Sequence, residues 1–192
     1  MTRYKGILVI MALALSAFSA PSVSDKAAKK RIEIRQMRTE TLAALYKEEP
    51  KARSEIEESV GYAVFSNVGV NVVFLSGGGG KGVVYDKSTN TDTFMKMGTA
   101  GIGLGLGVKD FRAIFIFSRQ EALDKFIDKG WDFSGQADAA ANSGEKGGEA
   151  SGASTVLSGV KVYQITEGGL ALQATLQGTK YWKDKKLNKK KK

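Results

Sequence analysis

The stretch FLSGGGGKGVVY (residues 74–85) places four consecutive glycines and a lysine before a valine-rich segment. Glycine-rich loops that cradle a nucleotide lead from a strand into a helix, whose N-terminus holds the phosphate. Here VVYD follows, which is typical of a strand, and Gly82 stands where a P-loop needs serine or threonine. We therefore predict a tight turn between two strands rather than a nucleotide site. The turn glycines are Gly77, Gly78, Gly79 and Gly80.

Lys81 gives this predicted turn a second interpretation. Backbone N–H groups of consecutive turn residues form nests that bind anions, so Lys81 could meet a lipid phosphate there. Other cations flank the neighbouring strands and could share that role, namely Lys96, Lys109 and Arg112. The alternative is that these side chains are solvated residues at strand ends.

Alternating apolar and polar residues after Gly61 predict a series of β-strands. The segments DKSTNTD (86–92) and EGG (167–169) have the composition of hairpin connections. The predicted strands are YAVFSNVGVNVVFL (62–75), KGVVYD (81–86), DTFMKM (92–97), FRAIFIFS (111–118), VKVYQIT (160–166) and LALQATL (170–176). Few helices, many strands and no regular alternation of the two indicate an α+β fold with a mainly antiparallel sheet.

Two helical segments accompany this sheet. Residues 21–49 combine apolar residues at helical spacing with a basic first half, which predicts a basic amphipathic helix. Its basic face is either solvated or lies against an anionic surface. The segment SRQEALDKFIDKGW (118–131) predicts a later helix packed on the sheet, with a capping box at Ser118 and Glu121 and a C-terminal cap at Gly130.

A second glycine array, GTAGIGLGLGVKD (98–110), alternates glycine with apolar residues. Glycine weakens a strand, so several glycines on one face suggest strong curvature or the close approach of another backbone. We therefore predict a strongly curved sheet, with a bare groove for an extended ligand as the alternative. The glycines are Gly101, Gly103, Gly105 and Gly107.

The first 20 residues have the pattern of a secretory signal peptide. Arg3 and Lys5 precede a short apolar run, and small residues follow it. The run is short for a membrane span, so we expect an exported protein, periplasmic or envelope-associated, that is cleaved near residues 19–24. An uncleaved anchor is the alternative.

The absence of histidine and cysteine from the sequence limits its chemistry. A Ser-His-Asp triad, a Cys-His pair and an ordinary zinc site all need one of these residues. We therefore expect no metal, no cofactor and no catalytic residue. An enzyme that used two carboxylates, such as a glycosidase, remains an alternative, although no pair of acids is distinguished by the sequence.

The net charge of +9 is carried by the ends of the chain. Seven of these charges come from residues 180–192, and the two cations of the signal segment supply the rest. The sequence thus predicts a balanced domain over residues 50–182, with a Gly/Ala/Ser-rich excursion over 134–159, followed by a lysine-rich tail over 183–192.

Aromatic residues next to lysines are typical of membrane interfaces. Tryptophan settles at the interface and lysine is drawn to anionic headgroups. We therefore predict that Lys180, Trp182 and Lys183 contact lipid phosphate. The alternative is a disordered tail that only keeps the protein soluble.

The order of these motifs resembles the SYLF lipid-binding domain family, in its secreted bacterial branch. The similar stretches are SVGYAVFSNVG (59–69), GGGGKGVVYD (77–86), MKMGTAGIGLGLGVKDFRAIFIFSRQEALDKFIDKGW (95–131) and VKVYQITEGGLALQATLQGTKYW (160–182). The resemblance implies a domain without catalytic residues. It also implies binding to phosphoinositide-containing membranes and, in some members, to actin.

The residues and the resemblance together predict an exported, non-enzymatic module that binds anionic membrane lipids at the cell envelope. Envelope proteins are possible further partners, and no nucleic-acid partner is expected. The main alternative is a structural or protein-interaction module of the envelope without lipid specificity.

Overall fold

The computed structural model describes residues 23–72, 75–102, 111–132, 153–157, 159–166, 168–170 and 179–189. These residues form three helices and nine strands. The helices are α1 (Val23–Glu48), α2 (Ala52–Glu58) and α3 (Gln120–Lys129). The strands are β1 (Gly61–Val72), β2 (Leu75–Asp86), β3 (Thr91–Ile102), β4 (Phe111–Phe117), β5 (Trp131–Asp132), β6 (Ala153–Leu157), β7 (Val160–Thr166), β8 (Gly169–Leu170) and β9 (Thr179–Lys183).

All nine strands belong to one sheet, and every pairing within the described ranges is antiparallel. The order is β5-β9-β3-β2-β1-β4-β7-β6, with β8 paired to β7. The sheet curls strongly into a half-barrel, and helices pack on it. The predicted α+β class with a curved antiparallel sheet is therefore confirmed.

One face of the sheet, here called the α3 face, carries an aromatic core. Side chains alternate along each strand, so Ala63 and Phe65 of β1 point to this face while Val64 points to the other. The rings pack with α3, and those of Phe126 and Trp131 have centroids 4.6 Å apart. The other rings of this core are Phe115, Phe117 and Tyr181.

The opposite face, here called the α1 face, is covered by α1 and α2. Near one end of α1, Leu45 packs with Ile56 and with Val64 of the sheet. Farther along α1, Ile34 packs on Val83 and Phe94. Helix α1 therefore runs across the sheet with its apolar stripe turned inward.

The four consecutive glycines lie inside β2, so the predicted turn at Gly77–Gly80 is wrong. Gly78 pairs with Gly69 of β1 and with Thr99 of β3. At Gly80 the physical reason for glycine is lack of space. On the α3 face, a Cβ atom at Gly80 would collide with the Ser66 carbonyl oxygen and with Met97. The link between β1 and β2 falls on residues 73–74, outside the described residues.

The local predictions of caps and hairpins have mixed outcomes. Residues 87–90 form the β2–β3 turn, with Asn90 at φ 52°, and Gly130 caps α3 at φ 69°. The capping box is absent, because the Ser118 hydroxyl donates to the Gly159 carbonyl oxygen instead. The predicted excursion over 134–159 is interrupted by β6, which pairs with β7.

The second glycine array is only partly described. Gly101 lies in β3 and pairs with Ser76, which agrees with a glycine-containing strand. Gly103, Gly105, Gly107 and Lys109 lie outside the described residues.

The start of the predicted lysine-rich tail is a folded part of the domain. Lys183 belongs to β9, and residues 184–189, here called the lysine-rich turn, dock against α1 and β3. Leu187 is 4% exposed and joins the apolar cluster under α1. The Asn188 side chain accepts a hydrogen bond from the Phe94 backbone N–H at 2.9 Å and donates one to the Phe94 carbonyl oxygen at 2.7 Å.

Candidate functional site

Four of the predicted lipid-binding residues lie in one row across the α1 face. Strand register aligns Arg112 with Ser66, Ser66 with Lys81, Lys81 with Lys96, and Lys96 with Trp182. Because neighbouring strands are about 4.8 Å apart, these five positions span about 19 Å. We call these five positions (Arg112, Ser66, Lys81, Lys96 and Trp182) the cation row, after its three cations. It brings together residues that are up to 116 positions apart in the sequence.

A groove opens beside the middle of the cation row, between α1 and the sheet. Its volume is about 240 Å³. Its floor is bare at Gly79, where a Cβ atom would have nothing within 4 Å. The lining residues are Lys30, Glu33, Ile34 and Met37 of α1 and Ser66, Gly79, Gly80 and Lys81 of the sheet.

Two lysines from different elements line this groove, Lys30 of α1 and Lys81 of β2. Partial burial lowers the pKa of Lys81 below that of an ordinary lysine, and the neighbouring Lys30 lowers it further. Glu33 and Asp184 act in the opposite direction, but among the described residues neither carboxylate lies within 4 Å of the Lys81 amine. The groove therefore carries an excess of positive charge, because two lysines and one glutamate line it.

Ion pairs hold α1 over the groove. Arg35 Nε and Arg38 Nη1 each lie 2.6 Å from one carboxylate oxygen of Asp92, at the start of β3. Arg31 donates to the backbone carbonyl oxygens of the lysine-rich turn, at 2.8 Å to Leu187. Three arginines of the basic helix thus serve its attachment to the domain, whereas Lys30 points into the groove.

This attachment yields a prediction. Replacing Asp92 with asparagine is expected to lower the free energy of unfolding by about 1–2 kcal/mol, because two charge-assisted hydrogen bonds weaken together. Urea denaturation measures the change. The matched control is Glu121→Gln, which removes an exposed partner of Arg119 and should cost less than about 0.5 kcal/mol. Equal effects of the two substitutions would contradict the role given to Asp92.

The remaining predicted site residues have acidic partners or lie at the edge of the row. Lys96 lies 3.6 Å from Asp184, Lys180 lies 2.7 Å from Asp132, and Lys183 lies 3.3 Å from Asp128. Their charges are thus partly compensated within the domain.

Trp182 ends the cation row with an accessible indole. Its side chain lies over Gly98, where a Cβ atom would come within 3.2 Å of the ring. The residue remains 39% exposed, so the indole is available to an interface. Its position fits the predicted role, which stays a prediction.

The sequence did not indicate that Lys30 or Ser66 belongs to the groove. A signal for Lys30 exists in retrospect, since it precedes the buried Ile34 by four residues and so shares its helix face. Ser66 has no comparable signal, because its place depends on the register with Lys81 and Arg112.

Another cluster of titratable groups connects α2 to the sheet. The Glu55 carboxylate lies 2.6 Å from Lys161 Nζ and accepts from the Tyr163 hydroxyl at 2.8 Å. Burial raises the pKa of Tyr163 to about 12. Glu55 bonds to both side chains, so this cluster fixes α2 in place.

The described part of the chain contains no group of three or more acidic, histidine or cysteine residues arranged to hold a metal ion. None of its helices combines the length and apolar character needed to cross a bilayer.

Comparison with known proteins finds similarity to one family. Residues 98–191 match the family model Ysc84, described as "Las17-binding protein actin regulator". The chain is also 33% identical over 166 residues to "Beta cell expansion factor A" of Aeromonas veronii. That alignment covers 86% of this chain and 62% of the relative, so the chain spans less than two thirds of the relative's length.

The two matches agree with the motifs and with the fold. The family is known for binding actin and lipid, and it is not known as a family of enzymes. The resemblance drawn from the motifs is thereby confirmed: residues 98–191 match the Ysc84 (SYLF) family model, and the Aeromonas relative belongs to the same family.

Proposed function

We propose that this protein is an exported, non-enzymatic module that binds anionic, phosphate-bearing lipids on the α1 face, at the cell envelope. The observation that carries the proposal is the cation row together with the groove beside it. Lys30 and Lys81 line the groove, and Arg112 lies in the same row on the other side of Ser66. The lipid binding known for the family supports the same function.

The balance of charges favours the groove over the predicted lysines of β3 and β9 as the main contact. In the described coordinates, no carboxylate lies within 4 Å of Lys30, Lys81 or Arg112, whereas Lys96, Lys180 and Lys183 each have one. A cation near an anionic surface contributes about 1 kcal/mol, and a cation already paired contributes less. Trp182 can add an interfacial aromatic contact beside the row.

Vesicle co-sedimentation tests the proposal with the full chain. Binding to vesicles that contain phosphatidylglycerol is expected at low ionic strength, with weak binding to zwitterionic vesicles and a decline as salt rises. Equal recovery with both vesicle types would favour the alternative module without lipid specificity. No binding to either vesicle would overturn the proposal.

A matched pair of double variants locates the contact. Lys30→Gln with Lys81→Gln is expected to weaken binding to anionic vesicles about tenfold or more, since two charges leave the contact. Lys125→Gln with Lys129→Gln removes the same net charge from exposed positions on α3, which packs on the opposite face. If both double variants lose affinity equally, the contact is not on the α1 face.

A further inference from the structure

Asn67 of β1 has a buried side chain that the fold leaves short of a hydrogen bond. The residue is 1% exposed and lies on the α3 face, two positions after Phe65. Its Oδ1 atom lies 3.5 Å from the Thr99 hydroxyl, and no group in the described part of the chain accepts from its Nδ2 atom. Because the Thr99 hydroxyl can donate or accept, exchanging the two amide atoms would leave Oδ1 unpaired instead. One polar atom of Asn67 therefore lacks a partner in either orientation.

This unpaired amide is unfavourable for the fold. A buried polar atom without a hydrogen bond lowers the free energy of unfolding, and folded proteins contain few such atoms. A leucine side chain has the same number of heavy atoms and would avoid the loss. Departures of this kind from the rules of folding are concentrated at functional sites.

The neighbours of Asn67 form an uncharged strip across the α3 face. Phe111 of β4 lies directly opposite Asn67, and Thr99 of β3 lies opposite the buried Thr179 of β9. The charges of Arg112 and Lys180 stay off this strip, because alternation along the strands turns these side chains to the α1 face. We call this set the polar strip; its described residues are Asn67, Gly78, Thr99, Phe111 and Thr179.

Gly78 makes room for the two polar side chains of the strip. A Cβ atom at Gly78 would come within 2.5 Å of the Thr99 hydroxyl oxygen and 2.8 Å of Asn67 Oδ1. The amide and the hydroxyl thus lie together over the bare backbone of β2. Thr99 and Phe111 are only half-buried, so the strip is accessible from their side.

We propose that the polar strip binds an uncharged, largely apolar molecule that carries an amide group. The carbonyl oxygen of a ligand amide can accept from Asn67 Nδ2, and its N–H can donate to Oδ1 or to the Thr99 hydroxyl. An amide therefore satisfies Asn67 in either orientation of the side chain. Small-molecule sites are mostly apolar with a few placed polar groups, and Phe65 and Phe111 supply the apolar surroundings here.

The lack of charge on the strip selects against an ionic ligand. A carboxylate or ammonium group would lose its hydration there, and the described residues of the strip offer no opposite charge in exchange. The ligand thus differs in chemistry from the anions expected at the cation row, which lies on the opposite face. The inference is independent of the proposed lipid binding, and a failure to bind vesicles would leave it standing.

Hexanamide is the probe for this site, and hexanoate is its charged control. Heteronuclear NMR of the full chain reports the side-chain N–H₂ signals of Asn67 directly. Hexanamide is expected to shift these signals in a saturable way, whereas hexanoate should bind at least about tenfold more weakly. Added salt should leave hexanamide binding unchanged, because the ligand carries no charge. Absence of a saturable shift, or equal affinity for hexanoate, would overturn the inference.

Substitution of Asn67 separates amide recognition from simple apolar contact. Asn67→Leu is expected to weaken hexanamide binding about tenfold, measured by calorimetry, since the hydrogen bonds of the paired amides are lost. Unchanged affinity would mean that hexanamide binds through its apolar chain alone, which contradicts the proposed role of Asn67.

A second variant keeps the test decisive if Asn67→Leu does not fold. Thr99→Val removes the hydroxyl beside the amide but keeps the branched shape, and it should weaken hexanamide binding about threefold or more. The matched control is Thr91→Val, at the exposed start of the same strand, which should leave the affinity unchanged. Equal affinities of the two valine variants would place the binding outside the polar strip and overturn the inference.

Discussion

Gly80→Ala is expected to lower the free energy of unfolding by about 2–3 kcal/mol, although it adds only one methyl group. A Cβ atom at this position would meet the Ser66 carbonyl oxygen of β1 and the Met97 side chain of β3. The side chain can adjust in part, but the carbonyl oxygen belongs to a paired strand. Overpacking of this kind costs about 1–3 kcal/mol in protein cores, and backbone contact places this case at the upper end.

The adjacent glycine provides the control. Gly79→Ala adds the same methyl group on the other face of β2, where it meets nothing within 4 Å. This substitution should leave stability unchanged or raise it by about 0.5–1 kcal/mol, because alanine restricts the unfolded chain. Urea denaturation of the two variants measures the difference. Equal stability would mean that β2 does not hold the register in which Gly80 faces Met97.

The run Gly77–Gly80 was predicted as a turn but lies in a strand, and amino-acid composition alone cannot distinguish these two structures. A run of glycines suits a turn because glycine tolerates positive φ, and it also suits a strand whose neighbours come too close for side chains. Only the partner strand decides between the two. At Gly82 the neighbour is the Phe65 ring, from a residue 17 positions earlier in the chain. Because Phe65 is distant from Gly82 in the sequence, no local sequence pattern reveals why a glycine is needed there.

The strand pattern, in contrast, was strong enough to predict most of the sheet. The β-branched and aromatic residues of FRAIFIFS and VKVYQIT predicted β4 and β7, and the segment DKSTNTD predicted the β2–β3 turn. Lys81 was proposed as a cation at a turn and Lys96 as a cation flanking a strand, and the register of β2 and β3 pairs them. The predicted site residues were individually plausible, and the register arranges four of them in one row.

The prediction of a lysine-rich tail from residue 183 missed a folded segment, because the many lysines obscured the alternation of buried and exposed residues. In TKYWK, Thr179 and Tyr181 are buried while Lys180 and Trp182 are exposed, which is the alternation of a strand. The Asp184, Leu187 and Asn188 side chains that dock the following turn are isolated among lysines. Their function depends on contacts with Phe94 and α1, which are distant in the sequence.

Deletion of residues 184–192 is expected to lower the free energy of unfolding by about 4 kcal/mol. Loss of the buried Leu187 removes one member of the apolar cluster that contains Ile34 and Phe94, and removal of a core leucine side chain costs about 2–5 kcal/mol. The deletion also removes the hydrogen bonds that Asn188 makes with the Phe94 backbone, at about 1 kcal/mol each. Thermal or urea unfolding measures the combined loss.

Two matched variants separate this structural role from a loss of charge. Deletion of residues 190–192 removes three lysines but keeps the docked turn, so it should change stability by less than about 0.5 kcal/mol. Leu187→Ala keeps every lysine and should cost about 2–3 kcal/mol, because the side chain is almost wholly buried. If deletion of 190–192 destabilised the protein as much as deletion of 184–192, the docked turn would not be the cause. Lipid binding of the longer deletion therefore has to be judged against Leu187→Ala, since a partly unfolded α1 would lose the groove as well as the lysines.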